Sequence, residues 1–222
     1  MGFIGCTNKG VENMKCIREA CVEGYEQAKK AEKLGADRIE LCDNLSQGGT
    51  TPSYGTIQYA SEHLYTDINV IIRPRSGHFV YSEAEFQIMK KDVKACKDLG
   101  VNGVVFGMLT KESEIDYKRT KELIAEARPL SITFHMAFDE IHDKYKAIDI
   151  LTELGADRIL TKGGKGSALQ NLDMIRELII YASDRIIILP GGGIHEGNAD
   201  WVMKETKATE LHGTKIVGDL SD

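Results

Sequence analysis

Two Glu-x-Cys pairs are the residues of this sequence best suited to chemistry. Glu19 with Cys21 forms the first pair, and Glu40 with Cys42 forms the second. Each pair closes a short run typical of a β-strand, in which side chains two positions apart point to the same face. If the two strands are neighbours about 4.8 Å apart, the thiols can share a soft metal ion such as Cu(I), which prefers thiolate ligands. Free cysteine is also a common small buried residue, so packing alone is the competing interpretation.

Arg73 and Arg75 flank Pro74 directly after a third predicted strand. A guanidinium group recognises a carboxylate or a phosphate through two parallel hydrogen bonds, so the pair predicts a site for an anionic ligand. The alternative is that the two arginines neutralise Glu19 and Glu40 inside a structural ion network. The sequence leaves both interpretations open.

A glycine run supplies a second candidate for anion binding. Gly191, Gly192 and Gly193 follow another predicted strand and lead toward a helix, so their bare backbone amides are suited to cradle an anion. A tight strand-to-helix turn also requires glycine, which is the competing explanation. Lys162, which precedes a glycine-rich segment at residues 163–166, is a weaker candidate of the same kind.

His135 and Asp139 stand at the exit of a fifth predicted strand. A histidine with a carboxylate nearby can serve as an acid, a base or a metal ligand. If the protein is an enzyme, we predict that proton transfer uses one or more of Glu19, Glu40, His135 and Asp139. Met136 and His135 are also candidate additional ligands for a copper ion at the cysteine pair.

A recurring phrase indicates how these residues are positioned. Residues 34–39 read LGADRI and return unchanged at residues 154–159, with a looser copy, LGVNGV, at residues 99–104. Each copy is typical of a helix end, a glycine cap and the start of a strand. All four prolines fall outside the predicted strands, as expected of interior strands. The sequence predicts eight short strands near residues 17–21, 38–41, 69–72, 103–106, 131–134, 158–160, 186–189 and 210–213.

Eight regular strand and helix units in 222 residues predict an α/β fold, a single-domain (βα)8 barrel of the TIM type. The runner-up architecture is an open, doubly wound sheet. In a TIM barrel the working residues stand at the carboxyl ends of the strands, where the candidates collect, and no comparable set marks the amino ends. The chain stops soon after the eighth strand, so we expect a last helix that is short or missing. The side of the barrel that a full-length last helix would cover is then covered by the N-terminal segment or by the second subunit of a homodimer.

The composition narrows the class of protein. A net charge of -6 argues against a nucleic-acid partner, since binding phosphates needs a clustered basic face. No apolar stretch reaches the roughly 18 residues of a membrane span, and residues 1–13 lack the apolar core of a secretory signal. Five cysteines without a CxxC pair fit reduced thiols better than disulfides. We therefore predict a cytoplasmic protein without membrane association.

Six motifs together resemble the CutC copper homeostasis family. They occur in the same order as in that family, between Ile17 and His212, which is nearly the whole chain. The motifs are EAC at residues 19–21, GADRIELC at 35–42, GGTTPS at 48–53, IRPR at 72–75, TFHMAFD at 133–139 and PGGGI at 190–194.

The resemblance implies a cytoplasmic barrel linked to copper tolerance, with copper bound by the family's cysteines, which Cys21 and Cys42 match. Family members often carry a longer tail after the eighth strand, and residues 1–13 of this chain extend ahead of the usual start. We therefore predict an N-terminal extension at residues 1–13 and a barrel domain at residues 14–222, and the sequence leaves open whether Met1 or Met14 is the native start. The family's polar mouth is matched by Glu19, Glu40, Arg73, Arg75, His135 and Asp139.

Three functions are consistent with these residues. The leading hypothesis is a copper homeostasis protein that binds Cu(I) through Cys21 and Cys42. The rival is an enzyme that acts on a small anionic or phosphorylated metabolite, with the arginines and the glycine run binding the anion and a carboxylate or His135 moving a proton. The third is a non-catalytic scaffold that binds a partner, since fold alone does not decide function.

Overall fold

The strands of this chain are all parallel and belong to one sheet. A computed structural model describes residues 16–221. The strands are β1 (Ile17–Glu23), β2 (Arg38–Cys42), β3 (Asp67–Ile71), β4 (Gly103–Phe106), β5 (Ser131–Phe134), β6 (Arg158–Thr161), β7 (Ile187–Pro190) and β8 (Glu210–Gly213). The α-helices between them are α1 (Gly24–Lys33), α2 (Tyr54–His63), α3 (Glu83–Asp98), α4 (Tyr117–Ala127), α5 (Lys144–Leu154), α6 (Leu172–Ala182) and α7 (Ala199–Thr206).

The strands follow one another around a nearly closed barrel. Each strand from β1 to β6 pairs with its successor, and β8 returns to pair with β1. This arrangement confirms the single-domain TIM-type barrel, and the open doubly wound sheet is wrong. Within residues 16–221 no helix follows β8, as predicted, and no helix is long and apolar enough to cross a membrane. The predicted extension at residues 1–13 and both candidate starts, Met1 and Met14, lie outside the described part of the chain.

Helix α3 shows how the sequence builds the outer layer. Ser82 and Glu85 form a capping box, in which each side chain accepts a hydrogen bond from the backbone amide of the other residue. Apolar residues at helical spacing then point one face of the helix onto the sheet, where Phe86, Met89, Val93 and Cys96 are buried. The helical pattern read from the sequence in this segment is confirmed.

Pro190 corrects the prediction that every proline lies outside the strands, because it is the last residue of β7. The next amide, that of Gly191, donates to Thr161 of β6. Amides of successive strand residues point in opposite directions, so the missing amide of Pro190 faces β8. Among residues 16–221, β7 pairs with β6 and with no other strand, so the proline removes no hydrogen bond from the sheet.

Charged side chains fill the amino end of the barrel interior. Arg38 donates to the carboxylates of both Glu19 and Glu210, and Arg158 donates to Glu210 at 2.7 Å. Glu19, Arg38 and Glu210 are all buried. The expectation that no comparable set of reactive residues marks the amino ends is therefore wrong. The two arginines belong to the recurring LGADRI phrase, but the sequence did not indicate that their side chains point into the barrel.

Gly213 stands where β8 passes closest to the loop after β7. A Cβ atom at this position would overlap the carbonyl oxygen of Ile194 and approach its carbonyl carbon to 3.1 Å. Because both atoms belong to the backbone, we expect Gly213→Ala to lower the free energy of unfolding by about 1–3 kcal/mol. Urea denaturation of the purified variant measures this change.

Gly55 provides the control for that substitution. It is exposed on α2, has an ordinary backbone conformation, and a Cβ there meets only the Ser53 hydroxyl at 4.0 Å. Gly55→Ala is expected to be neutral or slightly stabilising, since alanine favours a helix. Equal stabilities for Gly213→Ala and the wild type would show that the loop after β7 can move away from β8.

Candidate metal centre at the barrel mouth

Cys21 and Cys42 meet at the carboxyl ends of the first two strands. The register pairs Cys21 with Glu40 and Glu23 with Cys42, so the two cysteines are diagonal neighbours on the inner face of the barrel. Their sulfur atoms are 3.9 Å apart, and the Cys42 sulfur lies 3.5 Å from Oε2 of Glu40. Cys21, Glu40 and Cys42 offer ligand atoms that all lie within 4.8 Å of one another. Strand parity predicted this approach of the thiols correctly.

His212 completes this group from the other side of β1. Its Nδ1 atom is 2.8 Å from Oε1 of Glu19, and its Nε2 atom is 3.7 Å from Oε2 of Glu40. The β1–β8 register places His212 directly opposite Glu19. His212 was not among the site residues predicted from the sequence. The signal that identifies it is barrel closure, which makes β8 a neighbour of β1.

The charged network fixes the protonation of Glu19 and His212. Burial alone would raise the pKa of Glu19, but the hydrogen bond with His212 and the Arg38 guanidinium outweigh burial and lower this pKa to about 2. Burial alone would also lower the pKa of His212. The negative charge of Glu40 and the hydrogen bonds with Cys21 and Glu19 act in the opposite direction and raise it well above its usual value. His212 is therefore an imidazolium beside an ionised Glu19.

The two thiols differ in protonation because they share one hydrogen bond. The hydrogen bond between the two sulfur atoms lowers the pKa of Cys21 well below its usual value, against the effect of burial, and the hydrogen bond with His212 adds to this. The same bond, together with burial, raises the pKa of Cys42 well above its usual value. Burial and the charge on Cys21 raise the pKa of Glu40. The thiol proton is therefore held by Cys42 more firmly than by Cys21, and Glu40 takes up a proton more readily than an exposed carboxyl group does.

Arg73 and Arg75 do not neutralise Glu19 or Glu40, so that structural alternative is wrong. Arg73 donates to the backbone carbonyl groups of Gln47, Gly48, Gly49 and Gly77 and thereby holds the loop after β2. Arg75 pairs with Glu85 at the start of α3, with Nε 2.5 Å from Oε1. Of the two, Arg73 lines the barrel mouth. Anion binding by these arginines stays a prediction.

His135 and Asp139 are placed in different environments. His135 is buried at the mouth, and its Nδ1 atom accepts a hydrogen bond from the Ala137 amide. Burial and the nearby Arg73 charge lower its pKa to about 3, so the ring is neutral. Asp139 instead accepts hydrogen bonds from the Thr161 hydroxyl at 2.5 Å and the Lys162 amide at 3.0 Å. Asp139 thus secures the end of β6, and its predicted catalytic role is untested.

The glycine run packs closely at the ends of β7 and β8. A Cβ at Gly191 would lie 3.0 Å from the His212 ring and 3.1 Å from the Met136 methyl group, so glycine leaves room for both. Gly192 and Gly193 have positive φ angles and line a neighbouring cavity of about 300 Å³. The aliphatic chain of Lys162 lies against Gly192. The predicted anion binding by Gly191, Gly192, Gly193 and Lys162 is likewise untested.

A cavity of about 200 Å³ opens above the thiol pair at the barrel mouth. Its walls combine acidic, thiol and nitrogen-bearing side chains with the thioether of Met136. Any ligand of the cysteines is therefore also in reach of these groups. The polar side chains that line it are Cys21, Glu40, Cys42, Arg73, His135, His212 and Thr214.

Fold and site together define a TIM-type barrel protein with a buried thiol and carboxylate group at the ends of β1 and β2. The chain belongs to the CutC family, whose profile matches residues 16–217. This finding confirms the resemblance drawn from the six motifs.

Three relatives illustrate the match. A CutC family protein of Enterococcus faecalis is 49% identical over 90% of this chain and all of its own length. The human copper homeostasis protein cutC homolog is 45% identical over 88% of this chain and 72% of its own length. A crystal structure from Streptococcus agalactiae, described under the name copper homeostasis protein CutC, superimposes with a TM-score of 0.87. It is 39% identical in sequence and covers 90% of this chain and 99% of its own.

Proposed function

We propose that this protein acts in copper homeostasis in the cytoplasm by binding Cu(I) through Cys21 and Cys42, and that it contributes to copper tolerance. The observation that carries the proposal is the pair of buried sulfur atoms 3.9 Å apart beside Glu40. Membership in the CutC family, with relatives named for copper homeostasis, supports the choice of metal. The free thiols of Cys16, Cys21, Cys42 and Cys96 support a reducing compartment.

The donor set suits a soft ion. Two thiolates bound to one ion at roughly 2.3 Å, the Zn–S distance, lie at most about 4.6 Å apart, so a separation of 3.9 Å needs little rearrangement. Thiolate and thioether ligands favour Cu(I) over hard cations such as Mg²⁺. Met136 and Glu40 line the same cavity and are the candidate third ligands. His135 and His212 are not part of the group of ligand atoms that contains Cys21 and Cys42.

The charges around the cysteines favour a monovalent ion. Two thiolates and one Cu(I) carry a net charge of −1, which the imidazolium of His212 can balance. Glu19 lies beside His212, but its negative charge is also paired with Arg38. The positive charge of His212 is therefore not used up by Glu19. Binding therefore replaces the proton of Cys42 by the metal and leaves the buried charge nearly balanced.

An anaerobic competition titration against a Cu(I) chelator of known affinity tests this function. We expect the reduced wild-type protein to take up one Cu(I) per chain and to hold it against the chelator, because two thiolates converge on one position. Binding should also release protons, since Cys42 is a thiol before the metal arrives. Uptake that is weak, or that scales with excess copper without a defined stoichiometry, would contradict the proposal.

A further inference from the structure

Arg73 is a buried cation without an anionic partner in the described part of the chain. It is 5% exposed, and its terminal nitrogen atoms donate only to backbone carbonyl groups. Among residues 16–221 no carboxylate forms an ion pair with it, whereas the other buried arginine, Arg38, has two. Buried charges in proteins are normally paired, because removing an ion from water is costly. The surroundings of Arg73 thus lack one negative charge.

Two N–H donors at the mouth also lack acceptors. Among residues 16–221, neither Nε of Arg73 nor Nε2 of His135 has a hydrogen-bond partner, although the Tyr81 hydroxyl interacts with the Arg73 guanidinium group. Because Nδ1 of His135 accepts a bond from the Ala137 amide, the proton of this neutral ring is on Nε2. Buried donors without acceptors are uncommon and destabilising. Both side chains are therefore arranged for an acceptor from outside the chain.

The two residues that carry these donors line the same cavity. Arg73 and His135 both line the mouth cavity, and the Phe79 ring is close to both, 5.2 Å from Cζ of Arg73 and 4.8 Å from the His135 ring. The Phe79 ring holds both groups in place and shields them from solvent. A water molecule can accept from such donors, but it does not supply the charge that the guanidinium lacks.

We propose that the mouth cavity binds a small anion whose carboxylate or phosphate oxygens accept hydrogen bonds from Nε of Arg73 and Nε2 of His135. The proposal goes beyond copper binding and does not depend on it, since neither donor belongs to the cysteine group. A volume of about 200 Å³ is below the roughly 300–1,000 Å³ of sites for drug-sized ligands, so the anion is a small one. Its place above the thiols makes it a neighbour of any ion that they bind.

Two substitutions of His135 separate the donor from the structural role of the ring. His135→Asn keeps an oxygen near the position of Nδ1, which can cap the Ala137 amide, but removes the donor at Nε2. His135→Gln can place an amide donor near Nε2 but loses the cap. Binding is measured by isothermal titration calorimetry of the reduced, metal-free proteins, with inorganic phosphate and malonate as probes at constant ionic strength.

We expect the wild type to bind one of the two probes, and the choice between phosphate and malonate identifies the anion class. His135→Asn should weaken that binding by roughly 10- to 100-fold, as expected for one hydrogen bond to a charged group. His135→Gln should retain more affinity than His135→Asn, although it is the less stable variant. Because these titrations use metal-free protein, their outcome does not depend on the copper function.

Two results would overturn the proposal. One is the absence of any heat, and of any thermal stabilisation relative to chloride, when the wild type receives either probe at millimolar concentration. This result does not depend on a variant that folds. The other is equal affinity of the wild type and a folded His135→Asn protein for the probe that binds.

Discussion

Replacing Cys21 and Cys42 together by serine is expected to weaken Cu(I) binding by more than roughly 100-fold, since losing only an outer-shell partner of a metal ligand already costs about 10- to 100-fold. Serine has nearly the size of cysteine, so the packing around both positions changes little. Its hydroxyl group is a hard, weakly acidic ligand that does not replace a thiolate for a soft ion. The effect is measured by the chelator competition described above, with both proteins fully reduced.

Cys16→Ser is the matched control for that variant. Cys16 is half-buried just before β1, and its sulfur contacts the Ile17 carbonyl group rather than another thiol. Burial raises its pKa to about 11, so it is a poor thiolate. We expect the control to bind Cu(I) like the wild type. If the double serine variant bound Cu(I) as tightly as the wild type, Cys21 and Cys42 would not be the copper ligands.

Replacing Arg38 by methionine is expected to lower the free energy of unfolding by about 3–5 kcal/mol. Arg38 bridges Glu19 and Glu210, and its removal leaves two buried carboxylates with less compensation. Methionine fills most of the volume of the arginine side chain, so the loss of stability is caused mainly by the missing positive charge. Because the pKa of Glu19 is lower in the folded than in the unfolded protein, ionised Glu19 stabilises the fold at any pH above the pKa of the unfolded state. This stabilisation is lost as the pH falls toward about 2. Urea denaturation at pH 7 therefore records the effect in full.

Arg185→Met is the control for the buried network. Arg185 pairs with Asp149 on the exterior, with side chains 42% and 49% exposed, and solvent screens this interaction. We expect its denaturation midpoint to stay close to that of the wild type. If Arg38→Met were as stable as Arg185→Met, the charges inside the barrel would contribute nothing to stability, and their arrangement would need another explanation.

The fold could be predicted from the sequence because each βα unit carries local signals. The repeated LGADRI segments end α1 and α5 and begin β2 and β6, and apolar periodicity marks the buried face of α3. The position of Pro190 within β7 could not be predicted in this way. It depends on which side of a strand lacks a pairing partner, and that property belongs to the assembled sheet.

The candidate site was predictable only in part, for a related reason. The alternation of side chains along two consecutive strands correctly predicted that Cys21 and Cys42 lie close together. His212 contacts Glu19 across 193 residues, and only barrel closure makes them neighbours. The partners of Arg73 are carbonyl groups of the loop after β2, and no side-chain pattern encodes the path of a loop. The partner of Arg75 is an N-terminal residue of α3 rather than a mouth carboxylate.

The depth of the cysteine pair has a consequence for exchange kinetics. Cys21 and Cys42 are 6% and 1% exposed, so a chelator in solution can reach an ion on their sulfur atoms only through the mouth cavity of about 200 Å³. A chelator too large for this cavity exchanges the ion only after the ion has dissociated. Residence time is set by the dissociation rate, which need not follow the equilibrium affinity. If the cysteine pair binds Cu(I) as proposed, slow dissociation keeps the ion bound after the surrounding copper concentration has fallen.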